Sequence, residues 1–309
     1  MNHFKIPLCN PFKFVPITDA PGIHFDDNWF IEQIRYFEMK SFYRQKWVKS
    51  NTTKIQVESS IAPQSIKVID RYNNQIKVFN WVAVYTAINY SIYETTFDVT
   101  DVSEKIIFLK FGVVFEESIN WSILSEPIEI KTEWPGTMLF RYNNSYNKFD
   151  VAFSTGIKFY FRCEAVIHDF YPERGGTDYI NQVKDTELLE VTPSRKFKLS
   201  IGCNMIVGAR LGVAPWVLDI VNRILCCDIV SVENMRYCAE AEAKWEKHKQ
   251  GQYPLIGGTI DIVPSFNSQS LEFADTTPLA PGLVLAYNID TAIFAPGSIV
   301  PINEVLINS

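Results

Sequence analysis

Residues 42–79 read FYRQKWVKSNTTKIQVESSIAPQSIKVIDRYNNQIKVF, and this stretch decides the fold class. Phe42–Val48 alternates bulky apolar with polar residues, and Ser50-Asn51-Thr52 then supplies a turn. Lys54-Ile55-Gln56-Val57-Glu58 has a period of two, the mark of a strand with one apolar face. Ile66–Asp70 is a second strand, Tyr72–Gln75 a polar turn, and Ile76–Phe79 resumes the strand pattern. Short strands separated by turn signals every ~8–12 residues are the rhythm of a β-sandwich.

The same rhythm extends outward. Apolar runs recur at Trp81–Ile92, Phe97–Val99, Ile106–Phe115 and Ile119–Ile123. Ser125-Glu126-Pro127-Ile128-Glu129-Ile130 marks a joint, because the proline bars helix before it and starts a new strand. The β pattern returns at Thr137–Tyr142, Phe149–Ser154, Lys158–Val166 and Lys196–Ile201. Gly175-Gly176 and Gly257-Gly258 read as turns, since neither leads a strand into a phosphate-cradling loop.

Pro215–Cys226 is the first convincing helix. Trp216, Ile220 and Ile224 fall on one stripe beside Val217, Val221 and Leu225, and Pro215 suits the first helical position. Asp228–Val232 and Met235–Tyr237 read as a hairpin about Glu233-Asn234, and Glu240–Lys249 as a charged, helix-capable segment. Thr259–Pro264 is another strand. The expected fold is mainly β: two β-sandwich-like modules at 26–124 and 125–274, with a small α+β insertion near 213–250 and extended N- and C-terminal arms at 1–25 and 275–309.

The arms follow from proline spacing. Pro7, Pro11, Pro16 and Pro21 block helix and central strand, yet the segment is apolar. It is expected to lie extended against its own domain or a neighbouring subunit. Phe4, Ile6, Leu8, Phe12 and Phe14 are the interface candidates there. Leu283, Leu285, Ile289, Ile293 and Phe294 are their counterparts among Pro278, Pro281, Pro296 and Pro301. Deletion of residues 1–22 is expected to leave a folded protein that assembles poorly.

Composition excludes several functions. With 309 residues, 47% hydrophobic and 21% charged, the chain can bury a core. A net charge of −6 argues against phosphate-backbone binding as the main task. No apolar run reaches the ~18 residues of a membrane span, and Met1–Val15 carries no signal-peptide pattern. Six cysteines read as small buried hydrophobes of a chain made in reducing cytoplasm. The remote alternative pairs Cys203 or Cys238 with Cys226-Cys227.

No catalytic constellation stands out. His3, His24, His168 and His248 lack helical metal spacing, and His168-Asp169 would point to opposite faces of a strand. Asp26-Asp27, Asp98/Asp101 and Glu116-Glu117 lie near turns without a calcium-loop pattern. No metal, cofactor or catalytic residue is therefore expected. The excess lies in the aromatics: 7 Trp, 14 Tyr and 22 Phe. Cores and subunit interfaces consume such rings, and a sugar-stacking surface is the alternative use.

A resemblance adds direction. Tyr43-Arg44-Gln45-Lys46-Trp47 precedes Lys54-Ile55-Gln56-Val57 and Val68-Ile69-Asp70; the Ser125–Ile128 joint follows. Phe140-Arg141-Tyr142-Asn143-Asn144-Ser145-Tyr146-Asn147, Phe159–Arg162 and Pro215–Ile224 complete the set. Over about residues 40–240 the chain resembles tail and baseplate structural proteins, distal-tail-like, of tailed bacteriophages infecting Bacteroides-like hosts, crAss-like phages included. The resemblance implies β modules that form rings and connect tail tube, adaptor and receptor-binding proteins in the virion, after synthesis in the host cytoplasm. It brings no active-site residues, and no motif specifies a tail or head–tail connector position. The expectation is a non-enzymatic, ring-forming structural protein whose partners are its own copies and other tail or connector proteins. The alternative is a carbohydrate-binding module or adhesin using surface tryptophans.

Overall fold

The computed structural model describes residues 3–17, 43–114, 120–168, 170–180, 186–202, 212–240, 243–249 and 255–265. The described residues are mainly β, with 56% strand and one short helix among them. The first half contributes β1 (Phe4–Lys5), β2 (Phe14–Ile17), β3 (Gln45–Val48), β4 (Thr52–Ser59), β5 (Ile66–Ile69) and β6 (Gln75–Phe79). It continues with β7 (Val82–Thr86), β8 (Ser91–Asp98), β9 (Lys105–Val114), β10 (Asn120–Ser125) and β11 (Ile128–Lys131). These form a four-stranded sheet in the order β1-β4-β8-β7 and a seven-stranded sheet built about β9.

The two sheets enclose one core. Ile55, Val57 and Phe97 from the first meet Ile107, Leu109, Phe111 and Val113 from the second, with Trp47 and Phe12 between them. The alternation at Lys54–Glu58 is thus read correctly: Ile55 and Val57 are fully buried. Its polar face is the surprise. Gln56 is also buried, because that face of β4 is covered by the second half of the chain.

The Ser125–Ile128 joint interrupts one strand line rather than separating the modules. β10 pairs with the Lys110–Val114 end of β9, and β11 continues along the same strand over Lys105–Ile107. Ser125-Glu126-Pro127 is the break between them, so the passage to the second module follows Lys131.

The second half contributes β12 (Thr137–Asn143), a single 3-10 turn (Phe153–Thr155), β13 (Phe159–Ile167), β14 (Tyr171–Ile180) and β15 (Thr186–Ile201). Then come α1 (Pro215–Leu225), β16 (Ile229–Val232), β17 (Met235–Ala239), β18 (Glu246–Lys249) and β19 (Ile256–Pro264). The order is β14-β15-β13-β12-β16-β17-β19-β18, and β15 also pairs with β19. Six strands therefore close on themselves as a barrel, which removes most open edges. β14 and β18 hang outside the closure.

Helix α1 follows the sequence expectation. Pro215 opens it, Arg223 pairs with Asp219 at 2.9 Å, and seven apolar side chains enter the barrel core. The β16–β17 hairpin also forms where expected. Glu233 and Asn234 both have positive φ, 46° and 76°, as a two-residue I′ turn demands. The Glu233 carboxylate accepts the Leu139 N–H at 2.6 Å, which holds a non-glycine residue there.

Three local readings are corrected. Gly175-Gly176 lies inside β14 and Gly257-Gly258 inside β19, so neither is a turn. Gly258 is needed for close approach: a Cβ would lie 2.8 Å from Leu218 Cδ1 and 2.9 Å from Trp245 Cε3. The helix-capable stretch Glu240–Lys249 instead supplies β18, drawn into the sheet by pairing with Ile256–Thr259 of β19. Tertiary pairing overrides helix propensity there.

Candidate functional site: a free ribbon and an open sheet edge

The N-terminal segment is placed first, because the interface candidates lie on it. β1 pairs with β4 and β2 with β10, so residues 3–17 are stitched to both sheets of the first module. Phe12 is 2% exposed, with its ring centroid 4.8 Å from Phe97 and 5.3 Å from Trp47. Phe4, Ile6 and Phe14 pack against the same core. Leu8 alone of the five is largely exposed, at 56%. The apolar arm serves its own domain here, and loss of residues 1–22 would open the core rather than leave it intact. Leu283, Leu285, Ile289, Ile293 and Phe294 lie outside the described residues.

The prolines keep helix out of this segment, which is strand at Phe4–Lys5 and Phe14–Ile17 with a turn at Pro7–Asn10 between them, and buried polar groups fix its position. Asn10 donates through Nδ2 to Gln56 O and accepts the Gln56 N–H, at 2.8 and 3.0 Å. Gln45 Nε2 donates to Pro11 O at 2.8 Å. Tyr142 O–H donates to Cys9 O at 2.6 Å, which ties the segment to the barrel as well. Cys9 faces Cys227; burial and their shared hydrogen bond keep the Cys9 thiol protonated. Cys226, Cys227 and Cys238 are free thiols.

A polar seam joins the two modules. Tyr43 O–H donates to Glu164 Oε2 at 2.9 Å, and Tyr160 N–H donates to Thr53 Oγ1 at 2.9 Å. Gln56 Nε2 donates to Glu94 Oε1, and Glu94 Oε2 pairs with Lys54 at 2.9 Å. Burial raises the titration of both Tyr43 and Glu164. Glu126, in the break between β10 and β11, is more extreme. It is 1% exposed, and burial outweighs the backbone N–H groups of Lys13 and Glu126 that favour its charged form, pushing its pKa up to about 8. Only a protonated carboxyl is tolerable there near neutrality. These groups read as structural glue. Among the described residues no cluster of three metal-ligating side chains exists.

Two features are left without a structural employer. The first is the ribbon of β14 and β15. At its root, Leu199–Ile201 pairs with β13 and Phe197–Ile201 with β19. Beyond that, β14 is the one described strand paired with Thr186–Lys196, over ten rungs from Tyr171↔Lys196 to Ile180↔Thr186. At ~3.3 Å per residue the ribbon extends roughly 30 Å. A lone two-stranded ribbon is marginal in water. Pro172 and Pro193 lie near the root, and Gly175–Ile180 and Thr186–Thr192 keep every backbone N–H. Sequence reading passed over this ribbon. Its signal was Glu187–Thr192, ELLEVT, but the glycine pair and two prolines masked the strand pattern.

The second feature is the edge strand β7. It pairs only with β8, through a bulge between Ala83 and Tyr85. All five of its residues are exposed: Val82, Ala83, Val84, Tyr85 and Thr86. Ile88, in the following turn, is fully exposed. Sheet edges are usually blunted by charge or proline, and Trp81–Ile88 contains neither. Among described tryptophans, by contrast, none is an open platform. Trp47 is buried, Trp81 donates to Gln64 O and packs on Phe111, and Trp134 is covered by Lys46 and Lys131. No described helix is long and apolar enough to cross a membrane.

None of the protein-family models, curated proteins or solved structures compared with this chain matches it.

Proposed function

We propose that this protein is a virion structural component: a ring-forming subunit of a phage tail or baseplate that acts by assembly, not catalysis. The carrying observation is the ribbon: among the described residues, Thr186–Arg195 is strand-paired with β14 and with no other strand. An element that is marginal alone gains stability when a neighbour covers it. The uncharged β7 edge is a second surface that needs cover. A projecting element on one side of a subunit and a receptive edge elsewhere make a head-to-tail contact, and such contacts close into rings when the rotation per subunit allows. The resemblance to tail and baseplate proteins supports the same reading, with tail tube, adaptor, connector or receptor-binding proteins as further partners.

The β7 edge gives a direct test. Val82 and Val84 are exposed, so changing both to lysine leaves the fold intact. Mass photometry of wild type is expected to show one discrete multi-copy species, and the Val82→Lys/Val84→Lys protein a smaller one. Unchanged assembly in the double variant would remove β7 from the interface.

A further inference from the structure

A groove of about 500 Å³ lies where the four-stranded sheet faces the Asn147–Ser154 segment of the second module. Its aromatic surface is Tyr85, Tyr90 and Phe149, and its polar atoms come from Asn147, Glu58 and Asp150. Tyr85 is 53% exposed and stands on the same sheet face as its neighbour Ile92, not along the open backbone edge of β7. Two lysines, Lys5 and Lys148, balance the two carboxylates, and Lys5 pairs with Asp150 at 2.8 Å across the groove. The groove therefore carries no net charge.

Its far wall is a tight two-residue turn. Phe149 and Asp150, at φ 51° and 66°, are its central residues, closed by reciprocal backbone hydrogen bonds between Lys148 and Val151. Side chains hold the turn in place. Gln56 Oε1 accepts the Ala152 N–H and Gln56 Nε2 donates to Ala152 O, while Asn147 Oδ1 accepts the Ser154 N–H at 3.0 Å. Lys148 donates to Cys226 O.

We propose that this groove binds a short neutral oligosaccharide. The exposed Tyr85 ring offers packing for the C–H face of a sugar ring; Glu58 and Asp150, paired with His3 and Lys5, keep lone pairs that accept from hydroxyls, and Asn147 Nδ2 and Lys5 donate to them. A balanced charge set favours a neutral polyhydroxyl ligand over an anion or a cation. The volume is within the range of small-molecule sites. The inference is separate from assembly: it stands or fails whatever the number of copies.

The test uses the full chain. A glycan array of neutral and acidic oligosaccharides selects probes, and saturation-transfer NMR with the selected trisaccharides measures binding. We expect neutral glycans to bind and acidic ones to be no better. Tyr85→Ala should weaken binding about tenfold or more, Tyr85→Phe should keep most of it, and Asn147→Ala should lose a hydroxyl contact. Absence of any neutral glycan signal, or binding indifferent to Tyr85→Ala, would overturn the proposal.

Discussion

Glu126 shows what a single residue can report about this fold. Its carboxyl titrates near 8 when folded and near 4.5 when free. Between those values the folded chain holds a proton that the unfolded chain has released, so stability falls as pH rises from about 4.5 to about 8. Above 8 the loss is complete. Glu126→Gln removes that dependence. Urea midpoints of the two proteins should nearly coincide at pH 5, and by pH 8.5 the variant should be the more stable by roughly 3 kcal/mol. Parallel pH profiles would mean that the carboxyl has water or a cation beside it. Sequence marked this residue only as part of a joint. Its burial was not legible, because the alternation that identifies a strand does not say what covers a break between two strands.

At the scale of the element, the N-terminal segment and the ribbon exchange the roles that their sequences suggest. Pro7, Pro11 and Pro16 announce an extended apolar arm, and the chain is extended at Phe4–Lys5 and Phe14–Ile17 but turns over Pro7–Asn10 between them. What proline spacing cannot tell is which surface receives it. Phe12 fills the space between Trp47 and Phe97, whereas Leu8 faces outward. Phe12→Ala should therefore cost about 3–5 kcal/mol in urea unfolding, and Leu8→Ala under ~0.5 kcal/mol. Equal small effects would return the segment to the role of a docking arm. The ribbon escaped notice for the opposite reason. Gly175-Gly176, Pro172 and Pro193 are turn signals in isolation, and only the long cross-strand register from Tyr171 to Ile180 turns them into strand residues. Helix α1 and the Glu233-Asn234 hairpin were legible because their signals are local: a 3.6-residue stripe, an opening proline and a two-residue turn.

For the whole molecule, strand rhythm was enough to identify a mainly β chain, and composition enough to exclude a helical membrane span among the described residues. Closure of the second sheet was not visible, since the β15–β19 pairing joins segments some 60 residues apart. Nor was the seam that binds the modules, where Gln56 and Glu164 are buried at positions that period-two reading assigns to solvent. The proposed function rests on what the described residues leave uncovered. A closed barrel and a sandwich satisfy their own cores, and the ribbon does not. The decisive measurement is mass photometry of the full chain beside a version in which residues 174–193 are replaced by an Asn-Gly turn linking Glu173 to its cross-strand partner Ser194. Both should unfold cooperatively, with a β-type circular dichroism spectrum lowered in the shortened protein only by the strand residues it lacks. The account predicts a discrete oligomer for the full chain and a monomer for the shortened one. A full chain that stays monomeric, or a shortened chain that assembles equally well, would contradict it.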